Sequence, residues 1–202
     1  DRQAAWFSDW QLDLPRISAT VLYGDIRWTS NYDTKTACSY AITPGPIRAG
    51  KGFIVEQHEY WNGATLTLPG GGGGNLLHAG TLADYHTTDN TKINCATDDD
   101  GDEYFVITTS DGLKYVLKQR RLVDGKPLVR QFKSAGRNRL DYLVTSIEDR
   151  FGNKLDYQYL DNQLQTIKYT EIDKTQETLV TFTYKDKLIE KIVALGQTWQ
   201  YE

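Results

Sequence analysis

Residues 147–167 read IEDRFGNKLDYQYLDNQLQTI, and this stretch sets the pattern for the C-terminal half of the chain. Leu155, Tyr157 and Tyr159 alternate with polar residues, so their side chains share one face of an extended strand. Asp161 and Asn162 follow, and both residue types are typical of tight turns. The segment therefore predicts a β-hairpin.

The same unit occurs again 25 residues further along. Each copy predicts a strand, a tight turn and a second strand. A single unit of this kind cannot bury both of its faces, so such units usually stack into a continuous sheet. The matched positions are Tyr159, Asp161, Leu164 and Ile167 in the first copy and Tyr184, Asp186, Ile189 and Ile192 in the second. Gly152 and Tyr157 also match Gly196 and Tyr201, at an offset of 44 residues (196 − 152).

The rest of the chain also predicts strands joined by turns. Its 13 tyrosines, five tryptophans and many Thr and Val residues favour strands, and no ten-residue stretch has a convincing helical period. We predict an all-β fold of successive antiparallel hairpins. A change in composition near Asp100 divides an irregular β-rich region (residues 1–100) from a region of more regular hairpins (residues 101–202).

Charge and hydropathy exclude two classes of partner. The net charge is −4 and the basic residues are dispersed, so no basic stripe exists for a nucleic-acid backbone. No apolar run approaches the roughly 18 residues that span a bilayer, so we predict no membrane insertion. Because the chain starts with Asp, lacks Met and ends within a strand-like pattern, we expect it to be a segment of a longer protein.

Five consecutive glycines, Gly70 to Gly74, follow the predicted strand from Ala64 to Leu68. A nucleotide-binding loop would need a following helix, and a Walker loop would also need a lysine; both are absent here. Pro69 cannot donate to a ladder and ends the strand, while glycines adopt positive φ at little steric cost. We predict a wide turn between strands rather than an interdomain linker.

Cys38 and Cys95 are the two cysteines, and they do not form a CxxC pair. Redox catalysis and metal binding are therefore poorly supported. A disulfide and a pair of partly buried free thiols both fit the sequence. For an exported protein we expect the two residues to be oxidised together.

The segment ATDDDGDEYF, residues 96–105, is the sharpest local feature. Asp98, Asp100 and Asp102 surround Gly101 as in a compact calcium loop, but the full twelve-residue pattern with its terminal glutamate is missing. We interpret the segment as a solvated acidic hairpin turn, with a calcium site as the alternative. His58, His78 and His86 lack metal-ligand spacing, and we predict no cofactor.

No catalytic residue can be named. The acidic residues show no distinguishing pattern for a glycosidase, and no Gly-x-Ser-x-Gly elbow is present. A second class of function is a glycan- or receptor-binding β module, because exposed aromatic faces can stack on sugar rings. Trp28, flanked by polar residues in DIRWTSNYD, is the candidate contact, whereas Trp10 and Trp61 are predicted to lie in the core.

Residues 147–167 resemble the YD repeat of the Rhs family, whose unit has the form Gly-x-x-x-x-Tyr-x-Tyr-Asp-x-x-Gly-x-Leu-x-x-Ile. Leu160 intrudes between Tyr159 and Asp161, and Asn162 and Gln163 occupy the glycine region. Three further segments resemble family motifs in the family's order. They are WQLDLPRI (10–17), WNGATLTL (61–68) and FVITTSDGLKY (105–115).

The resemblance implies a piece near the start of an Rhs/YD-repeat shell, the spiralled β-sheet that encloses a C-terminal effector in bacterial polymorphic toxins and insecticidal toxin complexes. It implies a non-enzymatic, structural role at a secreted or cell-surface location in bacteria. The implied partners are neighbouring repeats of the same chain and an enclosed toxin domain; a surface glycan is the partner in the binding-module alternative. The family's self-cleavage region and toxin tip have no counterpart in this sequence.

Overall fold

A computed structural model describes most of the 202-residue chain and consists almost entirely of antiparallel strands. Within its described part there are short 3-10 helices, at Gln57–Glu59 and Pro69–Gly71, and no α-helix. The predicted all-β class is confirmed. The described residues are 6–7, 10–11, 13–22, 38, 47–49, 53–80, 84–130 and 133–201.

The strands are short in the first half of the chain and longer in the second. Those of the first half are β1 (Trp6–Phe7), β2 (Trp10–Gln11), β3 (Arg16–Leu22), β4 (Ile47–Ala49), β5 (Phe53–Val55), β6 (Ala64–Thr67), β7 (Gly73–Asn75), β8 (Leu77–His78), β9 (Asp84–His86) and β10 (Lys92–Thr97). Those of the second half are β11 (Glu103–Thr108), β12 (Lys114–Asp124), β13 (Leu128–Arg130), β14 (Lys133–Ala135), β15 (Arg137–Glu148), β16 (Lys154–Leu160), β17 (Gln163–Thr170), β18 (Glu177–Lys185), β19 (Leu188–Ala194) and β20 (Gln197–Gln200).

Nine of these strands form a closed ring. From β8 the pairing runs through β9, β10, β11 and β12 to β15, then to β3, β6 and β7. Only Leu76 separates β7 from β8, and its N–H donates to the carbonyl of Ala64 on β6 at 2.9 Å. The path of paired strands therefore returns to its starting point through the continuous stretch β7–Leu76–β8, in which β7 pairs with β6 and β8 pairs with β9.

The inside of the ring is filled by apolar side chains. Phe105 packs edge-to-face against Tyr142, with ring centroids 5.0 Å apart, and against Tyr85, at 6.2 Å. Such aromatic contacts add to the free energy gained by burying the rings. The ring is thus a packed core. Its other buried members are Ile17, Ala19, Val21, Cys38, Ala64, Leu66, Leu68, Ile93, Ile107, Tyr115, Leu117, Leu140 and Val144.

The sheet branches at β15. The part from Arg137 to Leu143 pairs with β3, whereas Ser146 to Glu148 pair with β16, and β12 runs along the opposite edge of both parts. Beyond β16 the strands β17 to β20 follow in sequence order as an antiparallel meander. One strand therefore belongs both to the ring and to the meander.

The glycine run forms a wide turn between strands, as predicted. Gly70 and Gly71 have φ of 79° and 89° and make the turn, and the N–H of Leu68 donates to the carbonyl of Gly72 at 2.9 Å. Gly73 and Gly74 already belong to β7 and pair with β6. The division of the chain near Asp100 stays a prediction; Asp100 lies in the turn between β10 and β11.

Candidate functional site

The meander β16–β20 contains the repeated unit, and its two hairpins share the same irregularity. In β16–β17, Tyr159 lies opposite Leu164 although the preceding pair is Gln158 with Thr166, so Gln165 is an extra residue. A β-bulge of this kind bends the strand and changes the direction of a side chain. The second hairpin has the same register 25 residues later, with Tyr184 opposite Ile189, Thr183 opposite Lys191, and Glu190 as the extra residue.

The tight turns of the meander are also equivalent. Asp161 and Asp186 both have φ of 50°, and the residues after them, Asn162 and Lys187, have φ of 65° and 68°. Two consecutive positive φ values are those of a two-residue type I′ turn, which matches the twist of paired strands. The predicted strand, turn and strand of each unit are confirmed.

The repeated tyrosine ties each hairpin to the strand before it. The hydroxyl of Tyr159 on β16 donates to the carbonyl of Val144 on β15 at 2.7 Å, and that of Tyr184 on β18 donates to the carbonyl of Leu164 on β17 at 2.7 Å. Burial raises the pKa of Tyr159 well above its usual range and that of Tyr184 to about 12. Both hydroxyls are therefore protonated donors at neutral pH.

The apolar positions of the two units pack into one cluster on one face of the meander. Leu164, Phe182 and Ile189 are its buried centre. Leu14 and Tyr157 pack both against this cluster and against the core of the ring. Successive units therefore extend the core of the ring. The remaining members are Tyr159, Ile167, Val180, Tyr184 and Ile192.

Strand β20 forms the outer edge of the meander. It pairs with β19 on one side, and no other described strand pairs with it. Leu195, Trp199 and Tyr201 at this edge are 82%, 46% and 38% exposed. An edge strand with exposed apolar side chains is a surface on which another strand can add.

The acidic loop is a hairpin turn in which Asp98 is already occupied. Its Oδ1 accepts the N–H of Asp100 at 3.1 Å and of Asp102 at 2.8 Å, and its Oδ2 forms an ion pair with Lys118. The side-chain hydrogen bond from Lys118, assisted by that from the Asp102 N–H, lowers the pKa of Asp98. The carboxylate thus stabilises the turn and a neighbouring strand.

The turn at residues 149–153 has the same geometry without the acidic cluster. Asp149 accepts the N–H groups of Phe151 and Asn153 through Oδ1, at 2.8 and 3.0 Å. Gly152 has φ of 90°, and the equivalent Gly101 has φ of 86°. Hairpin geometry therefore accounts for the first aspartate and the glycine of DDDGD. That Asp98, Asp100 and Asp102 form a solvated turn rather than a calcium site stays a prediction.

Cys38 and Cys95 are joined by a disulfide, with Cα atoms 5.7 Å apart. Of the two possibilities that the sequence left open, the disulfide is confirmed. Cys38 is fully buried in the ring core, where its carbonyl accepts a hydrogen bond from the Tyr85 hydroxyl at 2.7 Å. The disulfide therefore joins Cys38 to strand β10 across a separation of 57 residues.

The other predicted residues do not come together. His58 lies in a 3-10 helix, His78 on β8 and His86 on β9, and in the described part of the chain they belong to no group of converging metal ligands. Trp61 packs against the core as predicted. Trp28 lies outside the described residues.

Asp141 is a buried charge that sequence reasoning missed. It is fully buried on β15 and accepts hydrogen bonds from Ser18 on β3 at 2.7 Å, from Arg121 on β12 at 2.8 Å and from Arg139 at 2.9 and 3.1 Å. Burial raises the pKa of Asp141, but these hydrogen bonds outweigh it and lower the pKa. The available signal was a lone aspartate between Leu140 and Tyr142 in a strand-like run.

No family model, curated protein or solved structure matches the chain. In the described ranges, no helix has the length and apolar character needed to cross a bilayer.

Proposed function

We propose that the chain is a non-enzymatic structural segment of an Rhs/YD-repeat shell, secreted or at the surface of a bacterium. Its partners are the neighbouring repeats of a longer chain, and the shell encloses or presents a C-terminal toxin domain. The repeated unit of β16–β19 carries the proposal. Tyrosine, bulge, type I′ turn and buried aliphatic residue recur with the same spacing in both hairpins.

The contacts between units support a role in building a continuous wall. Each repeated tyrosine donates to the strand before its own hairpin, at Val144 and at Leu164. The buried cluster also runs from one unit into the next. Repeats that contact mainly their neighbours form extended sheets whose stability grows with each added unit.

The ring gives the wall a defined starting point. The path of its paired strands closes on itself, and its interior is filled by side chains, whereas the meander that leaves it at β15 ends in an outer strand, β20, that pairs only with β19 among the described strands. We infer that growth of the sheet proceeds from the meander side. The next hairpin of the longer chain pairs with β20 and covers Trp199 and Leu195.

The first experiment is to determine the structure of the whole gene product by cryo-electron microscopy. We expect a hollow β-shell in which further hairpins continue the sheet from β20. A gene product without additional Tyr-Asp hairpins, or one in which β20 remains an uncovered edge, would contradict the proposal.

The second experiment separates the shell from the binding-module alternative by glycan array. The proposal predicts no saturable glycan binding. Saturable binding that is lost in Trp28→Ala but kept in Trp199→Ala would favour a glycan- or receptor-binding module instead.

A further inference from the structure

The two cysteines lie beside the buried carboxylate of Glu103, at the β10–β11 pair. Oε2 of Glu103 lies 3.4 Å from Sγ of Cys95, and the ligand atoms of Cys38, Cys95 and Glu103 all lie within 4.8 Å of one another. In the described part of the chain, this is the one group of at least three such atoms that converge. Glu103 is only 8% exposed, which is unusual for a glutamate.

Cys38 is held in place by contacts other than the disulfide. Its N–H donates to Oε2 of Glu103 at 2.9 Å, and its carbonyl accepts from the hydroxyl of Tyr85 at 2.7 Å. Both backbone groups of Cys38 are thus bonded to ring residues. When the disulfide is opened, these hydrogen bonds and the surrounding core keep the two sulfurs close together.

We propose that Cys38, Cys95 and Glu103 form a redox-gated site for a thiophilic divalent cation, with Zn²⁺ as the best match. Reduction by two equivalents of a thiol breaks the Cys38–Cys95 bond, giving two cysteine thiols and one disulfide of the reductant. Binding of the cation then releases the two thiol protons, and the ion is held by two thiolates and the carboxylate. A disulfide of the oxidised reductant takes up the two electrons and two protons and becomes two thiols, which restores the Cys38–Cys95 bond and releases the ion.

The distances suit a tetrahedral zinc ion. Zinc to sulfur distances of about 2.3 Å and zinc to oxygen distances of about 2.0 to 2.2 Å place neighbouring ligand atoms about 3.6 to 3.8 Å apart. The gap between Cys95 Sγ and Glu103 Oε2, 3.4 Å, is close to this value, and the two bonded sulfurs must separate for the ion to enter. The carbonyl oxygen of Tyr104, 3.5 Å from Cys38 Sγ, or a water supplies the fourth position.

The ligand types also select among metals. Two thiolates favour Zn²⁺ over the hard cations Ca²⁺ and Mg²⁺, which require oxygen ligands. The site therefore differs in chemistry from the acidic loop around Asp100. It does not depend on the shell function.

The test uses Co²⁺ as a spectroscopic probe for the zinc site. The chain is reduced with a phosphine under argon and titrated with Co²⁺, and thiolate-to-cobalt absorption and circular dichroism are recorded. We expect one Co²⁺ per reduced chain, displacement by Zn²⁺, and no binding to the oxidised chain. Ellman's reagent should detect two thiols in the reduced chain without metal and fewer accessible thiols once Zn²⁺ is bound.

Matched variants show whether the three residues act together. Glu103→Gln should weaken Zn²⁺ binding at least tenfold, Cys38→Ser should abolish it, and Asp100→Asn should leave it unchanged. A reduced chain that binds no ion overturns the proposal, as does Zn²⁺ affinity that is equal in wild type and Glu103→Gln. Loss of the strand signal on reduction, without recovery on adding Zn²⁺, also overturns it.

Discussion

Asp141 is a fully buried carboxylate whose partners lie on β3, β12 and β15. Removing its charge leaves the guanidinium groups of Arg121 and Arg139 without a counter-charge. Because breaking a buried ion pair from one side is strongly destabilising, we expect Asp141→Asn to lower the free energy of unfolding by about 3 kcal/mol or more. Urea unfolding followed by tryptophan fluorescence measures this loss.

The control is Asp13→Asn, because Asp13 is exposed and lies 3.4 Å from Arg16. The unfolding free energy of this variant should stay within about 0.5 kcal/mol of the wild type.

The lowered pKa of Asp141 also makes the stability depend on pH. Its contribution is complete above the unfolded value near 3.8 and is lost as the pH falls through the lower folded value. Asp141→Asn should remove that part of the acid destabilisation; an unchanged acid slope would contradict the assignment.

Gly72 and Gly73 provide a matched pair within the glycine run. A Cβ at Gly73 meets the carbonyl oxygen of Leu66 at 2.3 Å, and its φ is 112°. At Gly72, φ is −75° and a Cβ makes only an ordinary contact with Leu68 at 3.5 Å. We expect Gly73→Ala to destabilise the chain by more than about 1 kcal/mol, and Gly72→Ala to be neutral or stabilising by up to about 1 kcal/mol. Equal unfolding midpoints would show that the run is only a flexible connection.

At the scale of single elements, the repeated tyrosines make a testable contribution. Tyr159→Phe and Tyr184→Phe each remove a hydrogen bond to a backbone carbonyl while keeping the ring. We expect each to cost about 0.5–1.5 kcal/mol of unfolding free energy. Tyr169→Phe, on the same meander, is the control and should change stability by less than about 0.5 kcal/mol. Hydrogen exchange should place the effect in β15–β19.

The raised pKa of Tyr184 adds an alkaline dependence to that experiment. A group whose pKa is higher in the folded state stabilises the fold fully below the unfolded value, here 10.0, and this stability is lost as the pH rises toward about 12. The stability of Tyr184→Phe should therefore fall less steeply above pH 10 than that of the wild type. The late part of the tyrosinate absorbance titration should lose the amplitude of one tyrosine in this variant.

The acidic turn is predicted not to bind calcium with useful affinity. Both carboxylate oxygens of Asp98 are already bonded, one to N–H groups of the turn and the other to Lys118. A calcium site needs six to eight oxygen ligands. We expect equal thermal unfolding midpoints in millimolar calcium and in chelator. A ligand at 100 times its dissociation constant adds about 2.7 kcal/mol, so a rise of several degrees that disappears in Asp100→Asn would contradict this.

The sequence predicted the local elements of the fold because their determinants lie close together along the chain. Asp161-Asn162 and the alternating tyrosines report directly on a turn and a strand face. The bulge at Tyr159 has no such local signal, because it depends on how two strands pair. Strand β15 also lacks the usual sequence pattern. Leu140 to Val144 are all buried, so the alternation of apolar and polar residues that identifies a half-buried strand is absent.

At the scale of the whole molecule, the disulfide should contribute substantially to stability. It closes a span of 57 residues, and loop entropy over that span corresponds to about 4 kcal/mol. We expect reduction in the presence of a metal chelator to lower the free energy of unfolding by this amount. Intact mass after alkylation without reductant should show no modified cysteine; two alkylated thiols would contradict the bond.

The closed ring was beyond prediction from sequence. Its seam joins Arg16 on β3 to Leu143 on β15, and no local motif reports on partners so far apart. The contacts of Cys38 with Glu103 and Tyr85 also join positions far apart in the sequence, and no local motif predicts them. Sequence patterns specified the hairpins, whereas long-range pairing determined which of them closed on one another.

The position of that seam sets an order of events during synthesis. When the first half of the chain leaves the ribosome, β3 can pair with β6, but its other edge has no partner until β15 has been made. Loop closure over such a separation is slow compared with the formation of local hairpins. We therefore expect nascent chains to pass through a stage in which β3 and β12 each have an unpaired edge and the chain is prone to aggregate. This stage ends when β15 closes the seam, after which the later hairpins can add one by one as they emerge.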